Sequence, residues 1–194
     1  DEIIAIESYS SDTTLDILKQ YAETLPMRIE QRPRQGIYPA WNDGLELARY
    51  PLSYVACADD VVYPDAFRYL RKLREQAPDA SLFSWRVDVI DSQNCITVQG
   101  GSPIVKVLWQ DWARVAHIRP GIADSLTAMS MGSPYLSMMG VAFSTSLWKE
   151  TGGFTTEYGP AGDVAWQVHA GLRTDVVYSP HTLAAWRFHE RGTT

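Results

Sequence analysis

Cys57, Ala58, Asp59 and Asp60 close an apolar run that begins at Ser53, placing two adjacent carboxylates where a buried strand runs out. Negative charge at such a point is costly unless a cation or hydrogen bonds answer it. A hard divalent ion held together with substrate phosphates suits the pair. A loop pair capping the helix that opens at Pro64 is common, and on these residues alone it is the favoured reading. Other candidates are scattered. Arg34 is free to approach a phosphate. Trp109 and Trp112, in Leu108-Trp109-Gln110-Asp111-Trp112, offer either a platform for a sugar or lipid acceptor or ordinary core packing. Asp163 opens a helical stretch, a place where Asp also serves as a cap. His117, His169 and His181 sit in no pattern and read as surface or packing residues.

The elements that must position these groups alternate. Ile3–Ile6 reads as a short buried strand followed by a Ser/Asp/Thr-rich turn, and Asp12 as the cap of a helix with Leu15, Leu18, Ala22 and Leu25 on one face. Met27–Glu30 is a short strand. A helix starts near Pro39, with Ile37, Trp41 and Leu45 spaced to pack together. Ser53–Ala58 is a strand, and Pro64 starts a helix with Phe67, Leu70 and Leu73 inward. This β-α-β-α-β-α order predicts an α/β fold with a mixed, mainly parallel sheet flanked by helices. Ligands of such sheets sit beyond the carboxyl ends of the strands, which is where Glu7–Thr14 and Asp59-Asp60 lie.

In the second half, Phe83, Trp85, Val87 and Val89 alternate with Ser84, Arg86 and Asp88, predicting a half-exposed strand. Asp91–Asn94 turns it towards Cys95–Val98 as a hairpin. Gly100–Met139 has weak periodicity and reads as loops and short helices. Ser144 caps a helix closing at Gly152-Gly153, Asp163–Ala170 is a helix, and Val176–Tyr178 and Leu183–His189 are strands.

The 194 residues suit one domain, with 45% hydrophobic and 21% charged residues giving ample core. A formal net charge of −6 argues against a nucleic-acid partner. Two cysteines are too few for a disulfide scaffold or a zinc site and fit a reducing cytoplasm. No stretch approaches a membrane span of about 20 apolar residues. The chain opens directly into a strand, which suggests a segment upstream.

Several landmarks occur together and in order. Arg34-Gln35-Gly36-Ile37-Tyr38-Pro39-Ala40-Trp41-Asn42-Asp43-Gly44 and Asp59-Asp60-Val61-Val62-Tyr63-Pro64-Asp65-Ala66 resemble the "GIYDAWNKG" helix and "DDVYYPDA" segment of family 2 glycosyltransferases of the GT-A fold. Ile4–Thr14 is similar to their strand ending in "DGGSTDGT". Gly152-Gly153-Phe154, Gly162-Asp163 and Trp186-Arg187-Phe188-His189 match "GGF", "ED" and a terminal "RxH".

The resemblance implies a GT-A (nucleotide-diphospho-sugar transferase, Rossmann-like) domain over residues 1–194 that lacks its first βα unit, with 1–90 binding the nucleotide-sugar and 91–194 the acceptor. It implies an inverting hexosyltransferase-like enzyme, dependent on Mn²⁺ or Mg²⁺, of the kind acting in bacterial surface polysaccharide biosynthesis. Its donor is a nucleotide-diphosphate sugar, and its acceptor a glycan or lipid-linked hydroxyl. Glu7, Ser8, Asp12, Arg34 and Asp59 would face the donor, Asp59 and His189 the metal, and Asp163 would be the catalytic base. Trp109 and Trp112 are the acceptor candidates. A cytoplasmic location is implied, with peripheral contact at the inner face of the membrane as an extension. Three positions depart from the pattern: Cys57 replaces the first DXD carboxylate, Ser8 a more usual Asp, and Gly162 a common Glu. They motivate a second expectation, a non-catalytic GT-A-like module that binds a nucleotide, a glycan or a partner protein.

Overall fold

A computed structural model describes residues 1–189. Strands β1 (Ile3–Glu7) and β2 (Met27–Gln31) flank helix α1 (Thr14–Ala22) and pair in parallel. Among the described residues they pair only with each other. Leu15, Leu18 and Ala22 of α1 are half-buried as their spacing predicts, but Leu25 beyond its end is exposed. Thr13, not Asp12, holds the N-cap position and makes no side-chain cap hydrogen bond; Asp12, one residue earlier, accepts the Thr14 N–H through Oδ1 at 2.9 Å.

Helix α2 (Ile37–Glu46) follows, then β3 (Leu52–Tyr54), β4 (Val61–Val62) and α3 (Ala66–Gln76). Two expected core positions prove wrong. Ile37 and Phe67 are exposed, and the buried positions of the two helices are Tyr38 and Leu45, and Ala66 and Leu70. Each is the first or second residue of its helix, where neighbours one position apart point in very different directions.

The seven-stranded sheet runs β3-β8-β5-β9-β4, with β5 (Leu82–Ile90), β8 (Val141–Ser144) and β9 (Val176–Arg187) at its centre. Because β8 is antiparallel to both β3 and β5, and β9 parallel to β5, strands β3, β5 and β9 all point the same way. Their carboxyl ends therefore share one edge. Strands β6 (Ile96–Val98) and β7 (His117–Arg119) extend the sheet as antiparallel partners of β5 and β9. The mixed α/β class expected from the sequence is what is found.

Strand β5 corrects the expectation of a half-exposed strand. Every residue in it except Arg86 is buried. Its polar residues are met by remote partners: Ser84 Oγ faces Arg119 Nη2 at 3.4 Å, and Asp88 accepts from Tyr63 Oη at 2.8 Å and from the Gly100 N–H at 2.7 Å. The two strands expected near the end of the chain are one, β9, with register shifts opposite Trp85–Val87 absorbing the irregular middle.

Residues between Gly100 and Met139 contain helices α4 (Pro103–Trp109) and α5 (Gly121–Met131), the second longer than expected there. Helix α5 packs on α7 (Gly162–Gly171), where Gly121 and Gly171 let the backbones touch; a Cβ on Gly121 would sit 1.9 Å from the Thr174 carbonyl oxygen. Ser144 caps α6 (Thr145–Glu150) through the Leu147 N–H, as its sequence position predicts. The main core joins Leu82, Val141, Phe143, Phe154, Trp166 and Val176. No helix among the described residues is long and apolar enough to cross a membrane.

Candidate active site

The sheet edge formed by the ends of β3 and β9 gathers the acidic groups. After β3, one ligand atom each of Cys57, Asp59 and Asp60 lies within 4.8 Å of the others. The end of β9 closes over them. The Arg187 N–H donates to Asp60 Oδ1 at 2.8 Å, and its guanidinium reaches the Asp59 carbonyl at 2.7 Å, the Asp91 carbonyl at 2.6 Å and Asn94 Oδ1 at 2.6 Å. One arginine thus pins the acidic loop to the β5–β6 turn. Two residues on, His189 Nε2 lies 3.0 Å from Asp59 Oδ2.

Charge on this loop is imperfectly answered. Burial, then opposed by the Arg187 N–H, lifts the Asp60 carboxyl to about 6, with Asp59 adding to the rise. Burial, then Asp60, Asp59 and Asp163, pushes the Cys57 thiol up to about 12. Asp163 thus acts on the Cys57 thiol, which stands beside the pair. The arrangement fits a divalent cation: two adjacent carboxylates, one strained towards its neutral form, gain most from a hard positive ion. Cys57 fits it less well, since a hard ion gains little from a thiol.

Asp163 sits in the first turn of α7 and is half-buried. Burial raises its carboxyl, and the Tyr38 hydroxyl, 3.0 Å from Oδ1, holds it back. Gly162 has a spatial reason: a Cβ there would lie 2.1 Å from the Thr155 carbonyl oxygen and 2.7 Å from the Tyr38 ring. Tyr38 therefore occupies the room that a larger residue at 162 would need.

The helix that carries Tyr38 is anchored by Asn42. Its Oδ1 accepts from the Phe154 N–H at 2.9 Å and from Trp148 Nε1 at 3.1 Å, while its Nδ2 donates to the Phe154 carbonyl at 2.8 Å. The Trp41-Asn42 and Gly153-Phe154 segments, more than a hundred residues apart, are thus one joint.

The donor candidates at β1 are arranged differently. Glu7 is covered by its own loop rather than by the core. The Ser10 hydroxyl and N–H, then the Gln31 amide, hold its carboxyl down at about 2. Its oxygens accept from the Ser10 N–H at 2.6 Å, Gln31 Nε2 at 2.8 Å and the Tyr9 N–H at 3.1 Å. Ser8 beside it is half-buried, and Asp12 is exposed. Arg34 is exposed and in no ion pair among the described residues. Trp109 and Trp112 lie elsewhere: the Arg119 guanidinium stacks over the Trp109 ring at 5.0 Å, and Trp112 meets the His117 ring edge-on at 5.3 Å. Trp109 is half-buried in this stack, whereas Trp112 is exposed.

Arg187, Tyr38 and Asn42 carry no functional role in the sequence alone, whereas Asp60 already stands there as one of the adjacent carboxylates suited to a divalent ion. Tyr38 and Asn42 act through partners more than a hundred residues away, and Arg187 through partners 93 to 128 residues away, which no local signal carries.

Solved structures with a similar fold include S. aureus TarS 1-349 in complex with UDP-GlcNAc (TM-score 0.75, 15% identity, covering 99% of this chain and 51% of that one). The mannosyltransferase PcManGT from Pyrobaculum calidifontis, in complex with GDP-Man and Mn²⁺, is also similar (TM-score 0.64, 20% identity, 99% and 49%). The chain spans about half the length of these proteins. No curated protein sequence matches it. The family model described as Glycosyl transferase family 2 matches residues 1–118, and the chain, with its GT-A fold and the acidic edge of its sheet, belongs to the family 2 glycosyltransferases.

Proposed function

We propose that this chain is the donor-binding and catalytic core of a glycosyltransferase that moves a sugar, with inversion, from a nucleotide-diphosphate sugar to an acceptor hydroxyl. The observation that carries the reading is the clustering of Asp59, Asp60 and His189 at one edge of the sheet, with Asp163 near enough to Cys57 to raise its thiol. Asp59 and Asp60, with His189 beside Asp59, would hold Mn²⁺ or Mg²⁺. Such an ion would neutralise the charge of the departing diphosphate. Asp163 takes the proton of the acceptor hydroxyl, and its burial-raised carboxyl makes it a better base than an exposed aspartate. Glu7, Ser8 and Asp12 border the nucleoside side, with the Glu7 carboxylate shaping the loop 7–10 through its own hydrogen bonds. Arg34, in no ion pair among the described residues, is available to a phosphate. The incompletely covered apolar strand β1 supports a preceding βα unit that completes this wall. An acceptor that is a glycan or lipid-linked would meet the half formed by 91–194, where Trp112, Leu108 and Val107 are exposed. Contact with a membrane face in the cytoplasm would rest on the same residues.

Calorimetric titration of a nucleotide-sugar panel, with and without Mn²⁺, tests the reading. One donor should bind in a metal-dependent way and lose binding in Asp59→Ala. Asp163→Asn should keep that binding within a few fold and lose turnover by about 10²–10⁴-fold. A folded protein that binds no donor sinks the proposal.

The Cys57 substitution, with a thiol pushed up to about 12, favours one second reading, a module that binds a nucleotide or glycan without turnover. Donor binding with no transfer or hydrolysis, and no effect of Asp163→Asn on function, would select it.

A further inference from the structure

A cleft of about 380 Å³ opens beside the middle of β5, away from the acidic loop in composition and charge. Among its walls are Arg86, Lys106, Arg114 and Arg119, with Asp111 the carboxylate among them. Arg119 is neutralised by the buried Asp124, which accepts from its Nε at 2.6 Å and Nη2 at 2.8 Å. Two positive charges remain in excess, on a protein whose formal net charge is −6.

Arg86 is the group least satisfied by this arrangement. It is half-buried, and its Nε donates to the Gly100 carbonyl at 2.8 Å. No carboxylate pairs with it among the described residues. Its guanidinium lies against Gly100, where a Cβ would be 2.3 Å from Nη2; with φ of +67° that position is reserved for glycine twice over. A partly desolvated cation without a counter-ion is an unfavourable resting state that an anion relieves.

Other donors line the same cleft. Tyr135 lines the cleft and is 3% exposed, with its hydroxyl beside the Asp124 carboxylate and outside normal hydrogen-bond distance of any partner. Burial, then the Asp124 carboxylate, raises that phenol well above its usual value, so it stays protonated and able to donate. Lys106 spends one proton on the Gln99 carbonyl at 2.6 Å and keeps the others free. Arg114 is only loosely engaged, 3.7 Å from Asp111.

We propose that this cleft binds an oxyanion, a phosphate or carboxylate carried on a molecule of about sugar size, with Arg86 as the central contact and Lys106, Arg114 and Tyr135 around it. The volume falls within the range of small-ligand sites, and Arg with Lys is the pairing that recognises planar carboxylates and phosphates. The roof of the cleft is also tied to the acidic loop: the Gly100 N–H donates to Asp88 Oδ1, and Asp88 Oδ2 accepts from Tyr63, three residues after Asp60. The site and the acidic cluster have opposite charge, so they are separable by experiment, and the proposal does not depend on sugar transfer.

The test is an NMR titration of ¹⁵N-labelled protein in EDTA with inorganic phosphate, glucuronate and, as a neutral control, glucose. The indole N–H of Trp109 and the Arg86 Nε–H are the reporters. Phosphate or glucuronate should give saturable shifts with a roughly millimolar dissociation constant, and the tighter of the two identifies the group. Glucose should give none. Arg86→Gln should weaken binding at least tenfold and Lys106→Gln severalfold, while Asp59→Asn leaves it unchanged. Shifts that glucose reproduces, that survive both Arg86→Gln and Lys106→Gln, or that disappear in Asp59→Asn would overturn the proposal. Should Arg86→Gln fail to fold, the exposed pair Lys106→Gln/Arg114→Gln decides: unchanged affinity overturns it, and a loss of fivefold or more supports it.

Discussion

The Tyr38 hydroxyl stands 3.0 Å from Asp163 Oδ1 and 2.7 Å from the Pro160 carbonyl oxygen, joining α2 to the start of α7. One proton faces two acceptors, so the carboxylate competes with a carbonyl for it. Burial, then the Asp163 carboxylate, pushes the phenol up to about 12, which keeps it a donor at neutral pH. Asp163 is lifted by burial and lowered first of all by this same hydroxyl.

Tyr38→Phe removes that counterweight. The Asp163 carboxyl then rises further, and a base that must be ionised works only at higher pH. The acid limb of the pH–kcat profile should move to higher pH, with the alkaline plateau little changed. Stability should fall by about 1 kcal/mol from the lost hydrogen bond. A profile that superimposes on the parent would remove Tyr38 from the mechanism.

Asp60 sets stability against function. Its folded value of about 6 lies above the unfolded value of 3.8, so the ionised group destabilises the fold at neutral pH. That cost fades as pH falls through 6 and is gone below the unfolded value. Asp60→Asn keeps an oxygen for the Arg187 N–H and removes the charge. In EDTA at pH 7.5 it should gain about 1 kcal/mol after allowance for solvent screening. The melting temperature should rise by about 2–4 °C, with no gain near pH 3.5. Mn²⁺ affinity should drop at least tenfold. Melting curves that coincide at pH 7.5 would contradict this account of the loop.

Asp124→Ala leaves the Arg119 guanidinium, 2% exposed, without its anion. Stranding a buried charge costs about 3–5 kcal/mol. Replacing both partners, as Arg119→Met/Asp124→Leu, should recover most of it. Urea midpoints report the two variants, and a single substitution as mild as the double would mean that water reaches the pair.

Gly162→Ala places a methyl group against the Thr155 carbonyl and the Tyr38 ring. Relief must come from moving α7 or tilting Tyr38. The expected loss is about 1–3 kcal/mol of stability, with kcat falling more than donor affinity because Asp163 is displaced. Donor affinity falling as steeply as kcat would show that residue 162 shapes the donor pocket instead.

Much of this molecule can be read along the chain. The Ser144 cap, the turn at Asp91–Asn94 and the acidic pair after β3 each depend on residues within a few positions of one another, and all occur where the spacing puts them. Strand β5 could not be read the same way. Alternation of Ser84, Arg86 and Asp88 with apolar residues signals one wet face, and the strand is instead covered on both sides because Arg119, Gly100 and Tyr63 satisfy its polar groups.

The sequence by itself determined the family and the alternation of strands and helices up to α3, since ordered landmarks and local periodicity are short-range properties. Only the tertiary structure decided that Arg187 clamps Asp60, that His189 meets Asp59, that Tyr38 steadies Asp163 and that Arg86 is left without an anion. Those relations join residues far apart in the chain. They exist only once β3, β5 and β9 lie side by side with their carboxyl ends on one edge, because burial and distance then set the charge state of each group.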